Sequence, residues 1–545
     1  MENEYEKEHQ HVEQPYVNGS KEGDNTYTDD VEGLEMPERT LQRQLKNRHI
    51  AMISIGGVIG TGLFLGTAKS LANGGPLGLL LGYALMGSIV FAVMNCLGEM
   101  ISFLPVPGGH IKLAERLVDP ALGFAMGWNY WYNWVIVLPA ELSAAAVLIG
   151  YWTNGSINNA VWITICLIVV VTINMFGARA YGEAEFWFAS IKILTIIGLI
   201  ILGIIIAAGG GPTHIATGVQ YWKNPGPFVQ YDGIPGALGQ FLGFFSVLIN
   251  AAFSYIGTEI VAIAAGEAAN PRKNIPKAIK KVYIRICLFY ILGTFIIGLL
   301  VSSDDKRLGN SSGTAASSPF VIAIEDAGIP VLPSIINACL LTSAWSAASS
   351  DLYTSSRALF GLSVSGSAPK VFRKVNKFGL PYLALLVSVA FSLLAYMAVS
   401  QNAWTVFNYF GNMTSICGLI TWLCIAITYI RFDAGIKKQN IDRSILPYKS
   451  PLGAFGGWYV LISLSIILFF SGWEVFLAGH WDTSTFITTY LPIPFAFILY
   501  FGYKLVKRTK VIPTQDIDFV TGVREFDEED EEPATTVLGK FFNAL

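Results

Sequence analysis

An all-α integral membrane protein with about twelve membrane-spanning helices is the fold class that this sequence predicts. Three observations carry it. Apolar stretches of 20 or more residues recur along the 545-residue chain, and a bilayer core of about 30 Å needs about 20 apolar residues per helix. Only 14% of the residues are charged, against about 25% in a soluble domain. Lys and Arg gather in alternate loops, the pattern of a multi-pass chain. Spans are expected near 49–71, 78–104, 122–152, 158–178, 184–208, 239–266, 281–303, 331–362, 379–400, 404–431, 456–478 and 484–505.

Residues 1–48 precede the first span. Residues 1–38 hold twelve Asp or Glu and two Lys, Lys7 and Lys21, so a disordered acidic tail is expected. It reads either as a solvated tether or as a regulatory segment on which ubiquitin ligase machinery modifies Lys7 and Lys21. Its polarity argues against a cleaved signal peptide, and the first span would itself direct insertion. Span 1 has four glycines in seven residues, Gly56-Gly57-Val58-Ile59-Gly60-Thr61-Gly62. Each costs a helix interior about 1 kcal/mol relative to Ala. Spans 3 and 8 are long and polar enough to tilt or to extend past the bilayer. Span 3 carries Asn129, Asn133 and, after Pro139-Ala140, Glu141. Span 5 encloses Lys192 among Ile191, Ile193 and Leu194, and Glu183 and Glu185 near its start are expected at the interface. Span 6 contains Phe253-Ser254-Tyr255-Ile256-Gly257-Thr258-Glu259, span 8 carries Asp351 and Arg357, and span 10 carries Asn412. Span 12 closes the membrane domain, 49–505, and 506–545 form a second tail with an acidic run from Glu525 to Glu532.

Orientation follows from the basic residues. Arg39, Arg43, Lys46 and Arg48 precede span 1; Lys112 and Arg116 lie between spans 2 and 3; Arg179 lies between 4 and 5. The 6–7, 8–9 and 10–11 loops and the segment after span 12 are each rich in Lys and Arg. The six loops on the other side hold only Lys69, Lys223, Lys306 and Arg307. Both termini are therefore expected in the cytoplasm. Asn154-Gly-Ser156 and Asn310-Ser-Ser312 are glycosylation sequons on the opposite side, the first close to the membrane. A net charge of −3 gives no reason to expect nucleic acid. Cys96, Cys166, Cys287, Cys339, Cys417 and Cys424 all fall in spans without zinc spacing, so neither disulfide nor metal is expected. The six histidines, His9, His11, His49, His110, His214 and His480, form no catalytic cluster, which argues against an enzyme.

Ile59-Gly60-Thr61-Gly62 in span 1 is echoed by Ile256-Gly257-Thr258-Glu259 in span 6. These spans correspond if the chain holds two five-helix repeats, and matched interruptions are the best sequence pointer to a transporter's binding site. Unwinding frees N–H groups at the start of one half-helix, which with the dipole suit a carboxylate. It frees carbonyls at the end of the other, which suit an ammonium group. Together they match the zwitterionic backbone of an amino acid. The competing reading of Gly60 and Gly62 is close helix packing.

These motifs resemble those of fungal amino acid permeases of the amino acid–polyamine–organocation superfamily. The likeness runs from Leu41 to Asp518. It includes Ile59-Gly60-Thr61-Gly62-Leu63-Phe64, Asp119-Pro-Ala-Leu-Gly-Phe124, Phe253-Ser-Tyr-Ile-Gly-Thr-Glu259, Glu267-Ala-Ala-Asn-Pro-Arg272, Ser355-Ser-Arg357, Ala368-Pro-Lys370 and Tyr448-Lys-Ser-Pro451. Ser318-Pro-Phe-Val-Ile-Ala-Ile324, Ser350-Asp-Leu-Tyr353, Thr485-Phe-Ile-Thr488 and Thr509-Lys-Val-Ile512 look like the dicarboxylic amino acid permease branch. The resemblance implies a five-plus-five inverted repeat of the leucine-transporter kind, broken helices 1 and 6, two extra C-terminal helices, and proton-coupled uptake of amino acids at the plasma membrane. Within that branch it implies glutamate and aspartate as substrates; a broad-range neutral permease is the alternative. A non-transporting sensor would share the fold, and the short N-terminal tail argues against it. No cofactor is implied. His110, where relatives often have a small residue after the Pro-Gly pair, departs from the pattern.

Matched onto this chain, the substrate α-carboxylate would meet the amides of Gly60, Thr61 and Gly62 beyond Ile59, helped by the Thr61 hydroxyl. The α-amino group would meet carbonyls of Val58, Phe253 and Ile256, in the segment that runs on through Ser254 and Gly257. Phe253 and Tyr255 are both candidates for an occluding lid. An ionisable residue in a span is a functional candidate by default. In proton-coupled relatives a lysine at the position of Lys192 replaces a sodium ion, so Lys192 either couples the proton to span 1 or caps freed carbonyls. Glu141 faces the binding site in the family. A carboxyl removed from water can hold a proton, so Glu141 either ties proton binding to substrate binding or is a structural hydrogen-bonding group. Glu259 reads equally as site or brace, and Asp351 as a structural partner of Arg357 or of the Ser346–Ser350 region. No mid-membrane cation is evident for an acidic side chain; the preference rests on the branch resemblance.

Overall fold

The computed structural model describes residues 59–106, 108–153, 156–260, 271–308, 318–376 and 379–521. Val58, the N-terminal tail with Lys7 and Lys21, the Asn154 and Asn310 sequons and the continuation of span 6 beyond Ile260 lie outside them. Among the described residues the regular structure is helical, with no β-strand.

The helices are α1 (Gly62–Phe103), α2 (Gly109–Leu117), α3 (Pro120–Thr153), α4 (Asn159–Met175), α5 (Gly177–Ala207), α6 (Gly236–Tyr255) and α7, which starts as Pro271–Arg285 and runs on through Ile286–Ile291 and Leu292–Leu300. They continue with a short α8 (Pro319–Asp326), α9 (Leu332–Val364), α10 (Tyr382–Val399), α11 (Ala403–Lys438), α12 (Gly453–Phe476) and α13 (Thr483–Lys507). Among the described residues nine helices are long and apolar enough to cross a membrane. The 17-residue α4 and the serine-rich α9 correspond to the expected fourth and eighth spans.

The expected loop between spans 1 and 2 is the first departure. Helix runs almost unbroken from 62 to 103, bent only at Gly75, whose φ is +73°. A β-carbon at Gly75 would lie 2.8 Å from the Pro227 carbonyl oxygen, and Leu77 donates its N–H to that same oxygen at 2.9 Å. Pro76 then starts the second arm, where its missing N–H costs nothing. Small residues let α6 lie directly on both arms: β-carbons at Gly74 and Gly82 would each meet Val247 at 2.6 Å, as in close-packed membrane helices.

α3 runs through the centre, between α9 and α11. Asn129 donates to the Cys417 carbonyl at 2.9 Å and to the Thr421 hydroxyl at 3.0 Å on α11. Asn337 of α9 donates to the Leu148 carbonyl at 2.7 Å. These are the interhelical bonds expected of span asparagines, since lipid offers the amides no partner.

One end of the bundle, the end carrying the basic loops, is closed by polar contacts that the sequence did not reveal. Buried Glu99 of α1 and Asp433 of α11 both pair with Arg443, and Glu99 also accepts from the Tyr429 hydroxyl at 2.6 Å and the Ser450 N–H at 3.0 Å. The chain after α13 does not leave this surface at once. Ile512 donates to the Val118 carbonyl at 2.9 Å. Arg116 donates to the carbonyls of Asp518 at 2.6 Å and Thr521 at 2.5 Å. Ile517 and Phe519 are buried against α11 at Gly435.

Candidate functional site

The start of α1 and the end of α6 face each other across a seam. In α1, Ile59 and Gly60 are non-helical, helix begins at Thr61, and Gly62–Gly66 form a wide π-type turn. Carbonyls at this start are held from elsewhere. The Ser343 hydroxyl lies 3.4 Å from the Ile59 oxygen, and the Ser318 hydroxyl donates to the Phe64 oxygen at 3.1 Å. Gly62 has α6 directly on it, since a β-carbon would lie 2.9 Å from Phe253 Cδ1 and Ser254 Oγ. Close packing is therefore the reason for glycine at 62. At Gly60 a β-carbon would be 3.4 Å from Glu141 Oε1, so glycine keeps the helix start open toward that carboxyl.

α6 stops at Tyr255. Ile256 turns extended (ψ 143°) and Gly257 takes φ +87°, with Trp134 only 3.1 Å from where its β-carbon would be. A side chain at 257 meets both a disfavoured backbone and an indole ring. The turn partly consumes its own carbonyls. Tyr255 accepts from the Thr258 N–H at 3.2 Å and hydroxyl at 2.6 Å, and Phe253 accepts a long bond from the Ile256 N–H at 3.4 Å. The Ile256 carbonyl accepts no hydrogen bond from the described residues.

The lid candidates separate cleanly. Tyr255 is fully buried on the α1 side, its hydroxyl donating to the Tyr83 carbonyl at 3.0 Å and its ring 4.3 Å from Tyr290. Ser254 faces the same way, 2.8 Å from the Tyr83 hydroxyl. Phe253 lies over the break, against Gly62, Gly411 and the edge of Phe407. Of the two aromatics, Phe253 is the one that packs on Gly62 near the start of α1.

Glu141 reaches the start of α1. Thr61 donates to it from its hydroxyl, 2.9 Å to Oε1, and from its backbone N–H. These are two of the donors assigned above to a substrate carboxylate. Glu141 Oε2 is buried without a hydrogen-bond partner. Behind it stands Lys192, 1% exposed, with Nζ 3.9 Å from Glu185 Oε1 and with Glu141 and Asp351 as further charged neighbours. Glu185 is 1% exposed and accepts from the Ser346 hydroxyl at 2.6 Å, so it is no interfacial residue. Asp351 does not pair with Arg357. Its Oδ2 is buried without a hydrogen-bond partner, and the Arg357 guanidinium lies 3.3 Å from the centre of the Tyr353 ring. Three carboxyls from α3, α5 and α9 thus surround one lysine.

The Glu259 carboxyl, next to the end of α6, accepts from the Trp422 indole at 3.1 Å. Beside it Arg285 donates to the Thr258 hydroxyl at 3.1 Å. His110 lies buried on α2, 4.9 Å edge-on to Tyr130 with neither nitrogen hydrogen-bonded. Burial pushes its imidazole down to about 3, so it is neutral. Separately, α1, α6, α11, the end of α12 and the start of α13 line a cavity of about 500 Å³, whose residues include Lys69, Asn73, Asn250, Asn408 and Asn412. Sequence reading placed Lys69 in a loop and singled out only Asn412.

The model of one family, described as amino acid permease, matches residues 49–513. A dicarboxylic amino acid permease of Saccharomyces cerevisiae is 46% identical over 497 residues, covering 90% of this chain and 82% of that one. A proline-specific and a lysine-specific permease of the same yeast are each 42% identical, over 535 and 530 residues. The former pairs 94% of this chain with 84% of that one, the latter 95% with 85%. Among solved structures, a manganese transporter of Eremococcus coleocola superposes with a TM-score of 0.52 at 12% identity, covering 87% of this chain and 98% of that one. At that identity the likeness is one of fold.

Proposed function

This chain belongs to the amino acid permease family, a family of transporters and not of enzymes, and from that premise we propose that it takes up glutamate and aspartate across the plasma membrane together with protons. The observation that carries the reading is the bond between Thr61 and Glu141 at the start of α1. An α-carboxylate docking on the amides of Gly60, Thr61 and Gly62 competes with Glu141 for the same donors. Displaced, Glu141 loses the donors to Oε1, while Oε2 already has none. A carboxylate stripped of donors away from water is neutralised by a proton. Substrate and proton then each favour the binding of the other, which is thermodynamic coupling.

Lys192 extends this to the scaffold. Three buried carboxyls facing one cation cannot all be charged without a large electrostatic cost, so Glu141, Glu185 and Asp351 share protons around it. Movement of α1 that frees or engages Glu141 redistributes them. The α-ammonium group is left the carbonyls of Val58, Ile256 and Phe253, and Phe253 covers the bound molecule.

The acidic preference is supported by the likeness to the yeast dicarboxylic amino acid permease. A broad-range neutral permease is the second reading, favoured by the apolar Phe253, Trp134 and Ala347 around the break. The basic loops support cytoplasmic termini, which puts the closed end with Glu99 and Arg443 inside and the cavity beside Lys69 outside. In the cytoplasm the tails 1–48 and 506–545 would be open to ubiquitin ligase machinery. The test is uptake of labelled glutamate by cells lacking their own carriers, against unlabelled competitors at two external pH values. Uptake stimulated by acid and blocked best by aspartate supports the proposal. Uptake blocked equally by neutral amino acids selects the second reading, and binding without uptake would mean a sensor.

A further inference from the structure

The outer cavity has a composition that the interrupted helices do not explain. At about 500 Å³ it falls within the range of about 300–1,000 Å³ usual for small-molecule sites. Four side-chain amides line it, Asn73 from α1, Asn250 from α6, and Asn408 and Asn412 from α11. Each amide offers donors and an acceptor, so together they can meet a carboxylate and an ammonium group.

Among the described residues Lys69 is the only Lys or Arg in the lining, and it makes no hydrogen bond or ion pair with them. Two acids share the cavity and could have claimed it, yet both are engaged. Asp482 caps the first turn of α13, accepting from the N–H groups of Ser484 at 3.3 Å and Thr485 at 2.8 Å and from the Thr485 hydroxyl at 2.5 Å. Glu474 is hydrogen-bonded to Tyr231. The cation is left to a ligand.

Position gives the cavity its role. Asn250 lies one turn before Phe253 on α6, and Asn408 and Asn412 each follow one of the residues, Phe407 and Gly411, that hold the Phe253 ring. The cavity therefore lies about one helical turn from the lid, although Phe253 itself is not among the residues that line it. Lys69 stands eight residues beyond Thr61, about 12 Å along the helix at 1.5 Å per residue. A single amino acid at the break does not also reach it.

We propose that this cavity is a capture site for an anionic amino acid, in which Lys69 takes the side-chain carboxylate and the asparagine amides take the α-amino and α-carboxylate groups before Phe253 admits the molecule to the break. The proposal rests on the acidic-substrate reading and supplies the selecting cation that the break lacks.

The experiment measures initial uptake of labelled glutamate and labelled glutamine by Lys69→Met and Lys69→Arg, with rates normalised to surface protein. In Lys69→Met the KM for glutamate should rise about 5- to 10-fold, while that for glutamine moves less than twofold. Lys69→Arg should restore glutamate to within twofold. A wild-type measurement needing no variant accompanies it. Raising ionic strength should increase the glutamate KM and leave that of glutamine nearly constant. An unchanged glutamate KM in Lys69→Met, an equal shift for both substrates, or a salt response common to both overturns the capture site. Absence of glutamate uptake by the wild type overturns the acidic-substrate reading, and the capture site with it.

Discussion

Replacing Gly62 with Ala tests the seam on which the site depends. The added β-carbon would lie 2.9 Å from Phe253 Cδ1 and Ser254 Oγ and 3.0 Å from Ser254 Cα. Comfortable carbon contacts are about 3.5–4.0 Å, so three atoms are each too close by about 0.5–1 Å. The Phe253 ring can turn aside. Ser254 cannot, since its Cα is backbone and its hydroxyl is held 2.8 Å from Tyr83. The helices must part, and overpacking of this size costs about 1–3 kcal/mol. Alanine recovers up to about 1 kcal/mol of helix propensity, which leaves about 0.5–2 kcal/mol against the state in which α1 and α6 touch. At 1.4 kcal/mol per decade that is about a 2- to 30-fold rise in KM. The assay is concentration-dependent uptake of labelled glutamate in carrier-deficient cells, normalised to surface protein, with thermal stability of the purified protein measured alongside. Gly60→Ala is the comparison, because its β-carbon meets nothing closer than 3.4 Å, and its stability should stay near wild type. If Gly62→Ala kept the wild-type KM and stability, or if Gly60→Ala were the less stable of the two, the contact between α1 and α6 would not be the one that closes the site.

Three further outcomes are expected. Glu141→Gln keeps an acceptor for Thr61 but has no proton to exchange, so exchange of internal for external substrate should persist while accumulation against a pH gradient disappears; full coupling in this variant would remove Glu141 from the mechanism. Lys192→Ala leaves three buried carboxyls without their cation, a loss of about 3–5 kcal/mol when one partner of a buried pair is removed. Uptake should fall and lose its pH dependence, with the Lys192→Met, Glu185→Gln double variant recovering surface abundance; transport by Lys192→Ala with an unchanged pH profile would refute the role. The contact between Arg116 and the segment after α13 should be indifferent to pH in the physiological range. Partial burial opposes the charge on Asp518, but the Thr521 and Val520 N–H groups and Arg116 hold its carboxyl at about 2. A depressed carboxylate stabilises above its unfolded value near 3.9 and loses that only as pH falls toward 2. Thermal stability of wild type minus that of Asp518→Asn should therefore stay level from about pH 5 to 8, and a difference that changes across that window counts against the Arg116 contact.

The interruptions were legible because glycines and hydroxyls inside an apolar run are local features. The same holds for the spans and for the alternation of basic loops. Residues two apart on a helix were another matter. Phe253 and Tyr255 differ by about 200° of rotation at 3.6 residues per turn, as do Glu183 and Glu185. Nothing in an apolar helix says which of such a pair points to lipid and which to a neighbour. Glu185 was therefore expected at the interface and is instead buried beside Lys192, and of the two partners considered for Asp351, Arg357 lies on Tyr353 instead. The run from α1 through Gly75 was read as two spans and a loop, whereas the Pro227 carbonyl accepts from Leu77 and helix resumes at once.

By itself the sequence determined that this chain crosses the membrane many times, where α1 starts and α6 stops, and which loops carry positive charge. Those are sums over neighbouring residues, and bilayer thickness, glycine propensity and loop charge act on them locally. Only the tertiary structure decided that Thr61 meets Glu141, that Glu185 lies beside Lys192, that Phe253 packs on Gly62, and that Lys69 lines a cavity with four asparagines. Each of these contacts joins helices far apart in the chain, set by the rotation and depth at which each helix packs, and no local pattern encodes them.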